Sequence, residues 1–381
     1  MSEATEQATI HKSPLDDAHR RAGAVFRERD GRMLPSSYGD TLAEYVAVRD
    51  GESAGLIDLS SNALIEVSGA EAVQFLNGLV TNDMKTLLNG AWMPAAFPNA
   101  QGRLISVTRI INRGGAFLFN TESVSRTTLY KTLERFTLAG DFHVTDRSDE
   151  TAQLSVQGAR AEDVVRRALG QEAASVGHGR VIETTRNGAT LSVMRATHTA
   201  EDGFDIFVDA AHAAPVWDAL REAGARPTGM DALEILRIEA GVPRYGLDMD
   251  ETNVVTEAGL DDAVSYTKGC YIGQEIIARI HWRGHVAKKL AGLTFTDEGE
   301  VERGAKVISA DGKEIGRVTS ATFSPRLSKT IALAYIKYDY LAPGTTARVI
   351  TNDAERAATV AELPLVRGSW FDRDENAEAG A

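Results

Sequence analysis

The chain has 381 residues, 41 basic against 54 acidic, and a formal net charge of −13. With 43% hydrophobic and 25% charged residues, it has the profile of an ordinary water-soluble chain with two or three domains. Its acidity disfavours nonspecific attraction to nucleic acid, and its single cysteine excludes an internal disulfide framework and a self-contained iron–sulfur site.

No apolar run approaches the roughly 20 residues that span a bilayer, and the N-terminus MSEATEQATIHKSP lacks the apolar core of a signal peptide. No membrane partner, no direct nucleic-acid partner and a cytoplasmic residence are expected. The first fourteen residues are polar and expected to be disordered, as are the last ten or so.

Between these ends the pattern repeats. Ile65 to Ala70 reads IEVSGA and Leu154 to Ala159 reads LSVQGA, each an alternating strand running into a glycine turn and then a helical pattern. The first helix carries Ala72, Phe75, Leu76 and Leu79 on one face, with Ser68 and Glu71 spaced as a capping box. The second carries Val164, Val165 and Leu169. Each unit continues with two strand-like stretches, Leu104 to Ile111 and Phe117 to Phe119, then Leu191 to Met194 and Phe204 to Val208. A further amphipathic helix follows, around Leu129, Leu133 and Phe136 and around Val216, Trp217 and Leu220. Strand, helix, two strands, helix is the order of a split β-α-β, or ferredoxin-like, unit.

After Lys289 short alternating strands take over, punctuated by turns at Asp311-Gly312 and Pro343-Gly344, which suits an antiparallel barrel. The expected fold class is α+β, with two related ferredoxin-like domains and a C-terminal antiparallel β-barrel. The expected divisions are a polar, partly disordered extension over 1–34, a first α+β domain over 35–147 with 230–286, a second over 148–229, a barrel over 287–370 and a disordered tail over 371–381.

The one cysteine, Cys270, stands in KGCYIGQE, Lys268 to Glu275. A thiol reacts as a thiolate, which a nearby cation or helix N-terminus favours. Lys268 is two residues upstream, and Ile272, Ile276, Ile277 and Ile280 mark a helix beginning close to Gly273. Buried free cysteines are also common as small hydrophobes. Arg279, Arg283, His285, Lys288 and Lys289 follow, either a solvated helix end or an anion-binding surface.

KGCY.GQE followed by a basic segment resembles the signature of the YgfZ family of folate-binding proteins, paralogues of the glycine-cleavage T-protein, an aminomethyltransferase. The resemblance runs from about Tyr38 to Val366 and is densest from LRIEAGVPRYGLDMD to KGCYIGQE. It implies two α+β domains and a barrel around a folate hole, and a tetrahydrofolate or one-carbon derivative as cofactor. AEDGFDI matches the family's G-E-D-G-F-E segment, so Glu201 is the implied pterin carboxylate; on its residues alone, EDG reads as a turn. Arg237 in LRIEAG and Tyr245 in YGLDMD are implied folate contacts, though Arg237 and Glu239 also suit a helix surface. Cys270 and Lys268 are the implied reactive pair. Gly269, Tyr271, Gly273, Gln274 and Glu275 shape the motif loop.

One departure bears on activity. The T-protein motif G-G-I-L-D-D is matched here by GRLISV, so Ser106 and Val107 occupy the aspartate positions. Neither supplies a carboxylate base. The reading that follows is a tetrahydrofolate-binding accessory factor for iron–sulfur cluster assembly or repair, with indirect effects on tRNA modification and transient contacts with iron–sulfur enzymes or assembly factors. The alternative is a folate-dependent aminomethyl- or methyltransferase, with Asp83 the nearest replacement acid. No metal site is expected: His281 and His285 are four apart, but Gly284 interrupts and no third ligand stands out.

Overall fold

The computed structural model describes residues 11–371 except 30, 139 and 353. The expected tail over 371–381 lies outside the described residues from 372 onwards, and so do the first ten residues of the expected extension. Strands His11–Lys12, Arg32–Ser37 and Val25–Arg29 form a small sheet beside helix Asp16–Arg21. Of the first fourteen residues, expected to be disordered, 11–14 thus belong to this ordered unit, as does the rest of the extension that is described. The reason is buried polar anchorage, since His19 donates or accepts at both ring nitrogens, 2.8 Å from Asp58 and 2.8 Å from the Tyr38 hydroxyl.

Two sheets follow. One runs in the order Ala91–Pro98, Leu104–Asn112, Ala116–Thr121, Ala63–Ser68, His143–Asp146. Helices Ala72–Leu79 and Arg126–Glu134 cover one face, burying Ile65, Leu76, Phe97, Phe119, Leu129 and Phe142. Glu71 does not close the expected capping box with Ser68, which ends the preceding strand; Glu71 accepts instead from the Asp141 backbone N–H at 2.7 Å.

The other sheet runs Val181–Arg186, Ala189–Arg195, Gly203–Asp209, Thr151–Gln157, Ala54–Asp58, Ala225–Pro227. Helices Ala161–Leu169 and Ala213–Glu222 cover it over Leu56, Val156, Val165, Phe204 and Trp217. Its strand Ala54–Asp58 precedes the first sheet in the chain yet pairs antiparallel with Thr151–Gln157, Leu154 opposite Asp58. The expected division at 147/148 does not contain this crossing. The free faces of the two sheets meet through Leu64, Ile111, Leu118, Met194 and Phe207.

Six strands from Lys288–Phe295 to Glu355–Ala361 close into an antiparallel barrel around Leu293, Phe295, Val307, Ile336, Val349 and Val360. On its outer face Leu290, Ile331, Leu333 and Tyr335 pack with Ile238 of helix Met230–Glu239. The α+β fold with a C-terminal antiparallel barrel is therefore as expected. Among the described residues no helix is long and apolar enough to cross a membrane.

Candidate functional site

The motif segment crosses the edge of the first sheet before turning into a helix. Ser265 N–H donates to the Thr81 carbonyl at 3.0 Å and Ile272 N–H to Gly78 at 3.0 Å, so the stretch between them is pinned at both ends. Lys268, only 7% exposed, points at the preceding loop: its ammonium donates to the carbonyls of Val80 at 2.9 Å and Asn82 at 2.7 Å and lies 4.9 Å from the Tyr271 ring centre. Burial pushes Lys268 down to about 8, against the pull of Asp83 and with the help of Lys85. Two of its three donors are thus committed to backbone oxygens. Cys270 is exposed.

Helix Gln274–Arg283 begins immediately after Gly273, where the apolar spacing placed it. Gly273 has φ +78°, and a Cβ there would stand 2.4 Å from the Asn99 carbonyl oxygen, so only glycine fits. Gly269 meets open space. Gln274 N–H donates to the Tyr271 carbonyl at 3.2 Å, while Glu275 lies at the surface beside Arg279, 3.4 Å away. Tyr271 is buried with Tyr245, Met249, Val254 and Val107 in one cluster. His281 stacks on Tyr266 and His285 on Tyr338. Among the described residues no three metal-ligating side chains come together.

The two aspartate positions separate sharply. Ser106 is fully buried, its hydroxyl 2.9 Å from that of Thr121 and 3.1 Å from that of Ser125. Strand alternation turns Val107 to the opposite face, where it joins Tyr245, Met249 and Tyr271. Two residues on, Arg109 reaches across to the other sheet. It donates to the Thr197 carbonyl at 2.7 Å and to Asp205 at 3.2 Å, with the Nε2 of His198 3.0 Å away. This contact brings the turn that carries Glu201 against the strand that carries Val107.

Asp205 is fully buried and also accepts from Ser155 at 2.7 Å and Gln153 at 3.1 Å. Burial raises its pKa, but His198, Arg109 and Ser155 outweigh that and hold the carboxyl below the usual range. His198 Nε2 lies 3.0 Å from the same carboxylate. Arginine only donates and a carboxylate only accepts. Nε2 therefore serves Asp205 when it carries the ring hydrogen and Arg109 when it does not, so the tautomer decides which of the two it joins.

Glu201 is 5% exposed. Its Oε1 accepts from Arg49 at 2.7 Å, and its Oε2 accepts from the backbone N–H and the hydroxyl of Ser369 at 2.8 and 2.6 Å. A Cβ on Gly368 would stand 2.5 Å from Oε1, so the C-terminal segment lies directly on the carboxylate. Arg237 is buried as well, donating to Asp248 at 2.6 Å and to Ser320 of the barrel at 2.6 Å, with its Nε unpartnered among the described residues. Tyr245 donates to the Leu104 carbonyl at 3.3 Å, and burial with Glu251 and Asp250 pushes it up to about 12. Asp83 caps its own loop, accepting from the Lys85 N–H at 3.0 Å.

Arg49, Arg109, His198, Asp205 and Ser369 were missed in the sequence. The histidine and the final aspartate of THTAEDGFD offered a signal, since they flank Glu201; Arg49 and Ser369 had none.

Two parts with this barrel define a known class. Residues 15–268 match the GCVT N-terminal domain, and residues 288–367 match the glycine cleavage T-protein C-terminal barrel domain. The chain belongs to the glycine cleavage T-protein family. It is 34% identical to an aminomethyltransferase of Rubrobacter xylanophilus over 87% of this chain and 89% of that protein. It is 30% identical to that of Thermotoga neapolitana over 94% and 99%. The crystal structure of the glycine cleavage system aminomethyltransferase T from Bartonella henselae shares the fold, with a TM-score of 0.86 at 24% identity over 94% of this chain and 98% of that one.

Proposed function

We propose that this chain binds a tetrahydrofolate, or a one-carbon derivative, at Glu201 and acts in folate-dependent one-carbon transfer of the aminomethyltransferase type. The names of the relatives favour this reading over the accessory role that the sequence put first. The observation that carries it is the Arg109 junction, which sets the turn of Glu201 against the strand face of Val107. A pterin offers an amino group and an adjacent ring N–H as a donor pair, suited to a fixed carboxylate. Ser369 presents two donors to Oε2 of Glu201, so a ligand engaging that oxygen takes their place.

With no carboxylate at 106 or 107, proton handling falls to His198, oriented by Asp205. The test is formation of methylene-tetrahydrofolate from an aminomethylated lipoyl carrier. Production by the wild type and its loss in His198→Asn support transfer; none from the wild type refutes it.

A second reading keeps the folate and replaces the chemistry: an accessory factor resembling YgfZ proteins, transiently serving iron–sulfur enzymes or assembly factors, with indirect effects on tRNA modification. Val107 at the aspartate position and an exposed Cys270 favour it. Complementation of a strain lacking such a factor, by wild type and by Cys270→Ala, separates it from transfer. Growth rescued only by the wild type supports the thiol role, and equal rescue by both variants or by neither counts against it.

A further inference from the structure

A cavity of about 410 Å³ lies between the loop 247–253 and the outer face of the barrel. Lys288, Arg317, Tyr335 and Lys337 line it from the barrel side. The strand register explains why they gather. Lys288 stands directly opposite Lys337, and Arg317 directly opposite Tyr335, which lies two residues before Lys337 on the same strand face.

Like charges facing each other across an antiparallel pair are unfavourable, and among the described residues neither amine is in an ion pair. Lys288 lies over the Tyr335 ring at 4.8 Å, and Lys337 donates to the backbone carbonyl of Glu314 at 2.7 Å. The carboxylates of the same cavity keep their charge but are engaged by other groups. Asp248 accepts from Arg237, Thr319 and Ser320, Asp250 accepts from Thr252, and Glu314 pairs with Lys306 and Arg317.

The independent observation is Tyr335. It is 6% exposed, and its hydroxyl is buried with no hydrogen-bond partner among the described residues. A buried donor without an acceptor is destabilising. Glu257, Asp248 and Asp250 act on this hydroxyl from the other side, so an oxyanion here is held by the two amines without an ion pair, with the hydroxyl as its uncharged donor.

We infer that this cavity is a binding site for a small multiply charged oxyanion, carrying phosphate or carboxylate groups, held by Lys288, Lys337 and the Tyr335 hydroxyl. The site stands apart from Glu201 and does not depend on folate binding there.

Calorimetric titration of the full chain with inorganic pyrophosphate, and separately with tri-γ-glutamate, tests it. Saturable binding of at least one probe is expected, weaker at high salt. Pyrophosphate alone marks a phosphate-bearing ligand, and tri-γ-glutamate alone marks an oligocarboxylate. Affinity should fall about ten-fold or more, roughly one decade of Kd, both in the Lys288→Gln/Lys337→Gln double variant and in Tyr335→Phe, which removes the hydroxyl without breaking a protein hydrogen bond. Binding of neither probe, or unchanged affinity in either variant, overturns the inference. Monoglutamyl tetrahydrofolate measured on the same double variant should bind as to the wild type, which keeps a failure at Glu201 distinguishable from a failure here.

Discussion

Arg49 and Glu201 form a buried ion pair of 2.7 Å, and the same guanidinium holds Glu239 at 2.9 Å. One cation thus fixes two carboxylates from distant parts of the chain, and Tyr45 and Ser324 complete the shell of Glu239. Removing one partner of a buried pair leaves an uncompensated charge. Arg49→Met should destabilise the chain by about 3–5 kcal/mol, read as a lower urea midpoint at unchanged slope.

Ser369 closes the outer oxygen of Glu201. Ser369→Ala removes the hydroxyl donor and keeps the backbone one. Stability should fall by about 1 kcal/mol, while tetrahydrofolate affinity rises, because the ligand then displaces one donor fewer. A calorimetric titration beside a thermal melt reads both changes. Lower affinity in this variant would mean that Ser369 belongs to the bound state.

Lys268 gives the chain a pH dependence of known sign. Its folded pKa, about 8, lies below the ordinary 10.5, so between these values the unfolded chain binds more protons and stability rises with pH. Below about pH 8 the full cost of the buried charge is present. Relative to Lys268→Met, the wild type should gain about 2 kcal/mol on going from pH 8 to pH 10.5, measured by urea melts across that window. Parallel curves for the two proteins would contradict the burial of this ammonium.

Cys270 is exposed, so iodoacetamide should modify the native chain without denaturant, and Cys270→Ala should change stability by no more than about 0.5 kcal/mol. Modification only after unfolding would remove the thiol from any partner chemistry.

Much of the architecture was legible because it rests on local pattern. Ala72, Leu76 and Leu79 recur at helical spacing and are buried together, as are Val164, Val165 and Leu169. The strand Ala54–Asp58 was not legible: it is buried along its whole length and so shows no alternation, and its partner lies about a hundred residues on. The helix at Gly273 could be placed from its isoleucines, but the direction of Lys268 could not, because its acceptors are backbone carbonyls of residues 80 and 82. Nothing in the sequence pointed to Arg49. Its partners are 152 and 190 positions away, a separation that no spacing rule reaches.

The most direct measurement is calorimetric titration of tetrahydrofolate into the wild type and into Glu201→Gln, which keeps the side chain's size and removes its charge. The account predicts one saturable site in the wild type and an affinity lower by about ten- to a hundred-fold in the variant, the worth of hydrogen bonds to a charged acceptor. No saturable binding to the wild type, or equal affinity in the two proteins, would contradict it.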